Sequence, residues 1–182
     1  YKFFFMNICS IYPTPFDNQI RHEFNSSIYV NEKIFSYEEA KLSGLKNDYT
    51  NFFPERSLMH GCKELNILPK KIDKWILPTP ANDFKIETLY YFFGYLLKAY
   101  NGPKEDFLNW ANKKIIFVDH HLLHAYSAIG PSGFKKCVFV SMDGGGDFGD
   151  LRNCIWGEFK NNNIKILGSQ KGYGNLSTFH QL

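Results

Sequence analysis

The chain lacks paired cysteines at CxxC spacing, an apolar run that could cross a bilayer, and a cluster of one charge sign. Its four cysteines fall mostly within apolar stretches, which predicts reduced thiols in a cytoplasmic protein and argues against a disulfide framework. The longest apolar run, residues 89–97, is about half of the roughly 20 residues that a membrane-spanning helix needs. The sequence therefore predicts a protein without a membrane partner.

The net charge is small, and residues of both signs are mixed along the chain. The net charge is +3, and the basic residues are interspersed with acidic ones, so the sequence gives little support to a nucleic-acid surface. Apolar residues make up 44% of the 182 residues, enough for a sizeable core. With no repeat or low-complexity linker detectable, the sequence predicts one domain or part of one.

The order of predicted elements indicates an α/β fold. Early strands form a hairpin that turns at Asn31 and Glu32, and helices and strands alternate from Pro54 onward. The predicted strands are residues 1–12, 26–30, 33–37, 72–77, 115–118, 137–142, 154–159 and 164–167. The predicted helices are residues 54–66, 86–100, a short one through Trp110, and 120–129. Hairpins followed by alternating elements predict a mixed sheet flanked by helices.

The stretch after the strand 115–118 carries three histidines within five residues. His120 and His124 are four residues apart, so on a helix both imidazoles project from one face and can share a divalent metal, such as iron or zinc. A third ligand, usually a carboxylate, would come from elsewhere. His121 points away from that face, which favours a role beside the metal or the substrate. The alternative is a polar helix end with solvated histidines.

A glycine-rich loop follows the strand 137–142. Asp143 ends the strand, and Gly144, Gly145 and Gly146 let backbone N–H groups approach phosphate oxygens closely. The carboxylate of Asp143 could hold a magnesium ion or order a water molecule. A plain glycine hairpin and a calcium loop that uses Asp143, Asp147 and Asp150 are the alternatives.

Two further polar stretches lie near predicted strand ends. His22 stands in the loop before the first hairpin, and Lys46 belongs to a charged stretch after the third strand. By themselves these residues are typical of solvated loops.

The motif His120-His121-x-x-His124-Ala125-x-Ser127-Ala128, followed by Asp143-Gly144, resembles the O-carbamoyltransferases that modify nodulation factors and antibiotics. Upstream, the stretch HEFNSSIYVNEKIFSYEEAKLSGLKNDYTNFFPERSL is similar to that family's opening. Downstream, GNLS is similar to its turn before a helix. The resemblance covers most of the chain in order and spacing.

The resemblance implies a ribonuclease-H-like, actin-like ATPase fold, of which residues 1–182 would form the first half of a duplicated transfer domain. It implies that a separate carboxy-terminal domain makes carbamoyl adenylate from carbamoyl phosphate and ATP, and that the transfer domain passes the carbamoyl group to a hydroxyl-bearing acceptor. The metal, commonly iron with zinc or magnesium as alternatives, would be held by His120, His124 and an aspartate beyond Leu182.

The resemblance also suggests roles for the remaining candidates. His22 would contact the acceptor or the carbamoyl group, and Asp143, the second catalytic candidate, would lie beside the nucleotide. Gly144, Gly145, Gly146 and Lys46 would face the nucleotide. Lys41 and Gly44 stand where the family carries arginines, and Asn47 stands where it carries histidine.

Three other functions are compatible with the same residues. An ATP-dependent kinase of this fold would use the glycine loop but has no need of paired histidines. A non-catalytic nucleotide-binding remnant would keep the fold without the family's arginines. A tRNA-modifying relative would be expected to have a more basic face.

Overall fold

The computed structural model describes residues 6–13, 24–45, 53–78, 85–143 and 152–172. The strands are β1 Ile8–Tyr12, β2 Asn25–Val30, β3 Lys33–Glu38, β4 Lys74–Pro78, β5 Ile115–Val118, β6 Lys136–Met142, β7 Arg152–Lys160 and β8 Asn163–Lys171. The helices are α1 Glu39–Ser43, α2 Glu55–Glu64, α3 Ile86–Tyr90, α4 Phe107–Lys114 and α5 His120–Ser132. A π-helical segment, Tyr91–Leu96, continues α3, and single 3-10 turns cover Pro69–Lys71 and Lys104–Asp106.

The chain divides into two compact units, Tyr1–Phe117 and Val118–Leu182. The five-stranded sheet has the order β3-β2-β1-β4-β5, in which β2 runs antiparallel to β1 and β3, and β1 runs parallel to β4. This is the strand order of ribonuclease-H-like domains. The expected mixed α/β fold, with a mixed sheet of ribonuclease-H-like strand order and flanking helices, is therefore confirmed.

The core of the first unit lies between this sheet and the helices that follow β3 and β4. Burial alternates along β1 and β2, as a half-covered sheet requires. Trp75 on β4 meets Phe93 edge to face, and Phe53 stacks on Phe92 at 3.8 Å between ring centroids. The apolar character nearly all round residues 86–100 predicts a buried helix, but only one face is covered: Phe92 and Phe93 are buried, whereas Tyr91 and Tyr95 are exposed.

A buried carboxylate fixes the start of α2. Glu39 is 1% exposed, and its two oxygens accept hydrogen bonds from the backbone N–H groups of Arg56 at 3.0 Å and Ser57 at 2.8 Å. These N–H groups belong to the first turn of the helix, where no intrahelical acceptor is available. A negative charge is also favoured at this end of a helix dipole.

The second unit contains the three-stranded antiparallel sheet β6-β7-β8, covered on one face by α5. Ala125 and Ile129 of α5 form a small core with Phe159. The β7–β8 hairpin turns at Asn161 and Asn162, both at positive φ, as Asn31 and Glu32 are in the β2–β3 hairpin. The second unit thus repeats the antiparallel three-strand order that opens the first, a repeat the sequence does not reveal.

The described residues agree closely with the predicted elements. The strand 115–118 is confirmed without change, and both hairpins turn where the sequence predicts. The predicted helix 86–100 differs, because it is α-helical only to Tyr90 and π-helical from Tyr91 to Leu96. Within the described residues, no helix combines the length and apolar character needed to cross a membrane.

Candidate metal centre

The amino end of α5 is built by a local capping interaction. Asp119 precedes the helix, and its Oδ1 accepts a hydrogen bond from the backbone N–H of Leu122 at 3.1 Å. An aspartate at this position satisfies one of the first-turn N–H groups and fixes where the helix begins. His120 is consequently the first helical residue, and His124 lies one turn later on the same face.

The structure brings three potential ligand atoms together. The Nε2 atom of His120 lies 2.6 Å from Oδ2 of Asp143, and Nε2 of His124 lies 3.3 Å from the same oxygen. The two Nε2 atoms are 3.1 Å apart. Asp143 follows β6 directly, so the strand end and the first turn of α5 form one cluster within the second unit.

This donor set fits a divalent metal. Two imidazole nitrogens and one carboxylate oxygen are the protein ligands of many zinc and non-haem iron sites. Bonds of about 2.0–2.2 Å to one ion place neighbouring ligand atoms roughly 3–3.5 Å apart. Two separations in the cluster, 3.1 and 3.3 Å, match this spacing, and the third, 2.6 Å between His120 and Asp143, is a hydrogen-bond distance. The side chain of His120 is 13% exposed, whereas those of Asp143 and His124 are 36% and 52% exposed, so the cluster opens toward solvent on the His124 side.

A second layer of contacts holds these ligands in place through the start of β7. Arg152 donates from its guanidinium to Oδ2 of Asp119 at 2.7 Å, and its carbonyl accepts a hydrogen bond from Nε2 of His121 at 2.9 Å. The backbone N–H of Asp143 donates to the carbonyl of Asn153 at 2.9 Å. The beginning of β7 therefore contacts both the capped end of α5 and the strand end that carries Asp143.

The structure describes only some of the predicted site residues. His120 and His124 do meet on one helix face, and Asp143, expected beside a nucleotide, supplies the carboxylate of the histidine cluster. His22, Lys46, Gly144, Gly145 and Gly146 lie outside the described residues. His121 is 1% exposed and bonded to backbone, which agrees with a role beside the ligands.

Two contributors are absent from the predicted set. Asp119 could have been found, since an aspartate directly before a helical histidine run is a common start signal for a helix. Arg152 has no such signal, because its role depends on β7 returning to the amino end of α5.

Comparison with known proteins gives one short sequence match. The chain is 54% identical over 35 residues, 19% of its length, to the nodulation protein NolNO of Sinorhizobium fredii (strain NBRC 101917 / NGR234). The match covers 5% of that relative's length. No family model matches the chain.

The solved structures that resemble the chain include the following two. YeaZ from Pseudomonas aeruginosa matches with a TM-score of 0.48 and 11% identity, over 90% of this chain and 65% of the other. An uncharacterized protein described as similar to peptidase YEAZ from Pseudomonas aeruginosa matches with a TM-score of 0.45 and 11% identity, over 90% of this chain and 64% of the other. Because both TM-scores lie below 0.5, neither likeness bears on function.

Proposed function

We propose that the protein takes part in transferring a carbamoyl group from carbamoyl adenylate to a hydroxyl of a small-molecule or sugar acceptor, beside a divalent metal held by His120, His124 and Asp143. The observation that carries the proposal is the convergence of these three ligand atoms within 4.8 Å of one another. The short match to a nodulation protein supports it, because the motif around His120 resembles carbamoyltransferases that modify nodulation factors.

The chemistry requires an alcohol oxygen to attack the carbamoyl carbon while AMP leaves and the hydroxyl proton passes to a base or to solvent. A bound divalent metal would supply Lewis-acid polarisation of a carbonyl or phosphoryl oxygen. Asp143 would hold its carboxylate toward the two imidazoles, and the backbone bond to Asn153 would keep that strand end in place. His124, which is half exposed, would border the approach of the substrate.

The remaining parts of the proposal depend on the sequence alone. Gly144, Gly145, Gly146 and Lys46 would contact the nucleotide, and His22 would contact the acceptor or the carbamoyl group. Carbamoyl adenylate would come from ATP and carbamoyl phosphate in an adenylate-forming domain. We propose iron as the metal, with zinc and magnesium as the alternatives.

Metal analysis tests the centre first. Purified protein should carry close to one equivalent of iron or zinc, and His124→Ala and Asp143→Asn should each weaken binding by more than the roughly 10–100-fold typical of outer-layer substitutions. His60→Ala, which removes an imidazole from the first unit, is the matched control and should leave the metal content unchanged. Equal metal in His124→Ala and the unaltered protein would refute the centre.

Turnover separates carbamoyl transfer from its rivals. With the adenylate-forming domain, carbamoyl phosphate and ATP, the unaltered protein should promote acceptor-dependent release of AMP, and Asp143→Asn should not. A kinase would release ADP and phosphorylate the acceptor instead. A nucleotide-binding remnant would bind ATP without turnover, and either result would overturn the carbamoyl-transfer proposal.

A further inference from the structure

The first unit contains a second candidate site, independent of the metal centre. A cavity of about 570 Å³ lies where the end of the π-helical segment and the turn after it approach α2 and the 3-10 turn before β4. Cavities of this size hold drug-sized ligands. Its lining within the described residues consists of Met59, Leu68, Pro69, Lys70, Tyr90, Gly94, Tyr95, Leu97, Lys98, Tyr100, Asn101 and Gly102. We propose that this cavity binds a small molecule with a flat apolar ring system and one anionic group.

The walls favour a flat apolar body. Tyr90 and Tyr95 meet edge to face at 5.7 Å between centroids, and Tyr90 and Tyr100 do so at 6.2 Å. Aromatic rings arranged in this way offer faces and edges against which another ring can pack. Tyr100 donates its hydroxyl hydrogen to the carbonyl of Pro103, so that ring presents mainly its apolar surface.

The charges select an anion. The described lining residues include two lysines, Lys70 and Lys98, and no acid. Both lysines are exposed, so each ammonium group can remain solvated in the free protein and turn toward a bound anion. A carboxylate, sulfonate or phosphate at the rim would receive charge-assisted hydrogen bonds from them.

Two uncommon backbone features meet at the same wall. The N–H of Leu97 donates to the carbonyl of Phe92, five residues earlier, as a π-helical turn requires. Lys98 follows with φ at +51°, a left-handed conformation that a side chain rarely adopts. π-helical turns and left-handed non-glycine residues are both enriched at functional sites. Lys98 therefore lines the cavity in a backbone conformation that costs stability.

Gly94 offers a way to fill the cavity. A methyl group at this position would lie 3.6 Å from the ring of Tyr90, an ordinary contact, so alanine fits and a longer side chain would extend into the space. Gly94→Leu should therefore fold and exclude a ligand. Lys98→Gly removes one cation and relieves the left-handed strain, so binding and stability should change in opposite directions.

Fluorescence titration with 8-anilinonaphthalene-1-sulfonate tests the proposal, since this probe combines flat rings with one sulfonate. The protein should bind it saturably at one site, and Lys98→Gly should weaken binding by about tenfold, the loss of one charge-assisted contact, while unfolding at an equal or higher temperature. Gly94→Leu should abolish the site. The uncharged probe N-phenyl-1-naphthylamine should bind more weakly, and Lys98→Gly should leave its affinity unchanged.

Asn66→Gly is the matched control, because Asn66 also has a positive φ but does not line the cavity. It should leave the affinity for both probes unaltered. The proposal is overturned if Gly94→Leu binds the sulfonate as tightly as the unaltered protein, which would place the probe elsewhere. Equal affinity of Lys98→Gly and the unaltered protein for the sulfonate would remove the anion selectivity.

Discussion

The contact of His121 with β7 identifies which ring nitrogen donates. The carbonyl of Arg152 can only accept a hydrogen bond, so Nε2 of His121 carries the hydrogen that bonds to it. Nδ1 is buried, and within the described residues no donor reaches it. His121 therefore links α5 to β7 through Nε2, whereas its neighbour His120 directs Nε2 to Asp143.

The two thiols of the first unit, Cys9 and Cys62, are protonated and unreactive at neutral pH. Burial raises the pKa of Cys62 from 9.0 to about 11, and burial together with the nearby Cys62 raises the pKa of Cys9 well above its usual value. A buried thiolate loses hydration that the apolar surroundings cannot replace. At neutral pH these cysteines behave as small apolar residues, which agrees with the reduced thiols predicted from the sequence.

The raised pKa of Cys62 predicts a loss of stability in alkali. Below about pH 9 both the folded and the unfolded thiol are protonated; between pH 9 and about 11 the unfolded thiol ionises first, so the free energy of unfolding falls as the pH rises. The contribution approaches 1.4 kcal/mol per pH unit at most. Denaturant unfolding of the protein and Cys62→Ala across this range should show a shallower fall in the variant. If the free energy of unfolding falls equally steeply with pH in the protein and in Cys62→Ala, the prediction is wrong. Cys137→Ala is the control for removing a thiol.

At the scale of elements, the metal centre depends on where three chain segments begin or end. Asp119 defines the start of α5, Arg152 the start of β7, and Asp143 the end of β6. Contacts with Asp119, His121 and Asp143 all involve the first two residues of β7. A shift of β7 would therefore move both the histidines and the carboxylate.

Asp119→Asn separates capping from ion pairing. The amide oxygen can still accept from the N–H of Leu122, so the cap is kept, but the charged contact with Arg152 is lost. We expect metal affinity to fall by roughly 10–100-fold with the ligands intact. Asp119→Ala should in addition cost about 1 kcal/mol of stability from the lost cap. Metal titration and denaturant unfolding measure the two effects.

Glu158→Gln is the control for Asp119→Asn, because it weakens an exposed ion pair with Lys165 in the same unit. Exposed pairs contribute little, so stability and metal affinity should both stay nearly constant. If Asp119→Asn binds metal as tightly as this control, the contact with Arg152 has no part in positioning the ligands.

The β2–β3 hairpin offers a stabilising substitution. Asn31 and Glu32 have φ of 48° and 65°, the two left-handed positions of a type I′ turn, for which Asn-Gly is the preferred pair. Glu32→Gly creates that pair and should raise the free energy of unfolding by roughly 0.5–1 kcal/mol. Lys33→Gly, one residue later in β3, should lower it. Chemical denaturation of both variants measures these changes in the free energy of unfolding. A Glu32→Gly variant that is less stable than the unaltered protein would contradict the turn type.

Local patterns predict these elements better than they predict the contacts between them. The hairpin turns are visible because asparagine tolerates positive φ, and β5 is visible as a short apolar run between polar residues. The π-helical segment is not, since its apolar residues would suit an α-helix equally well. Asp143 meets His120 only because β6 returns across α5, a tertiary arrangement that spacing along the chain cannot specify.

For the whole molecule, the division into two units determines which residues can respond to which ligand. Each unit has its own apolar core, one around Trp75, Phe92 and Phe93, and one around Ala125, Ile129 and Phe159. All three metal-ligand candidates belong to the second unit, and the aromatic cavity belongs to the first. The sequence, read as a single domain, gives no sign of this division because no linker separates the units.

Hydrogen exchange should reveal that division when metal is added. A ligand that binds only the folded second unit stabilises it by about 2.7 kcal/mol at a hundredfold excess over Kd, which slows exchange through unfolding of that unit by about 100-fold. With Zn²⁺ we expect this slowing in α5, β6 and β7, and little change in β1 to β3. Asp143→Asn should remove the effect throughout. Equal slowing in β1 to β3 would mean that the two units unfold as one, since linkage transmits binding energy only to segments that open together with the site.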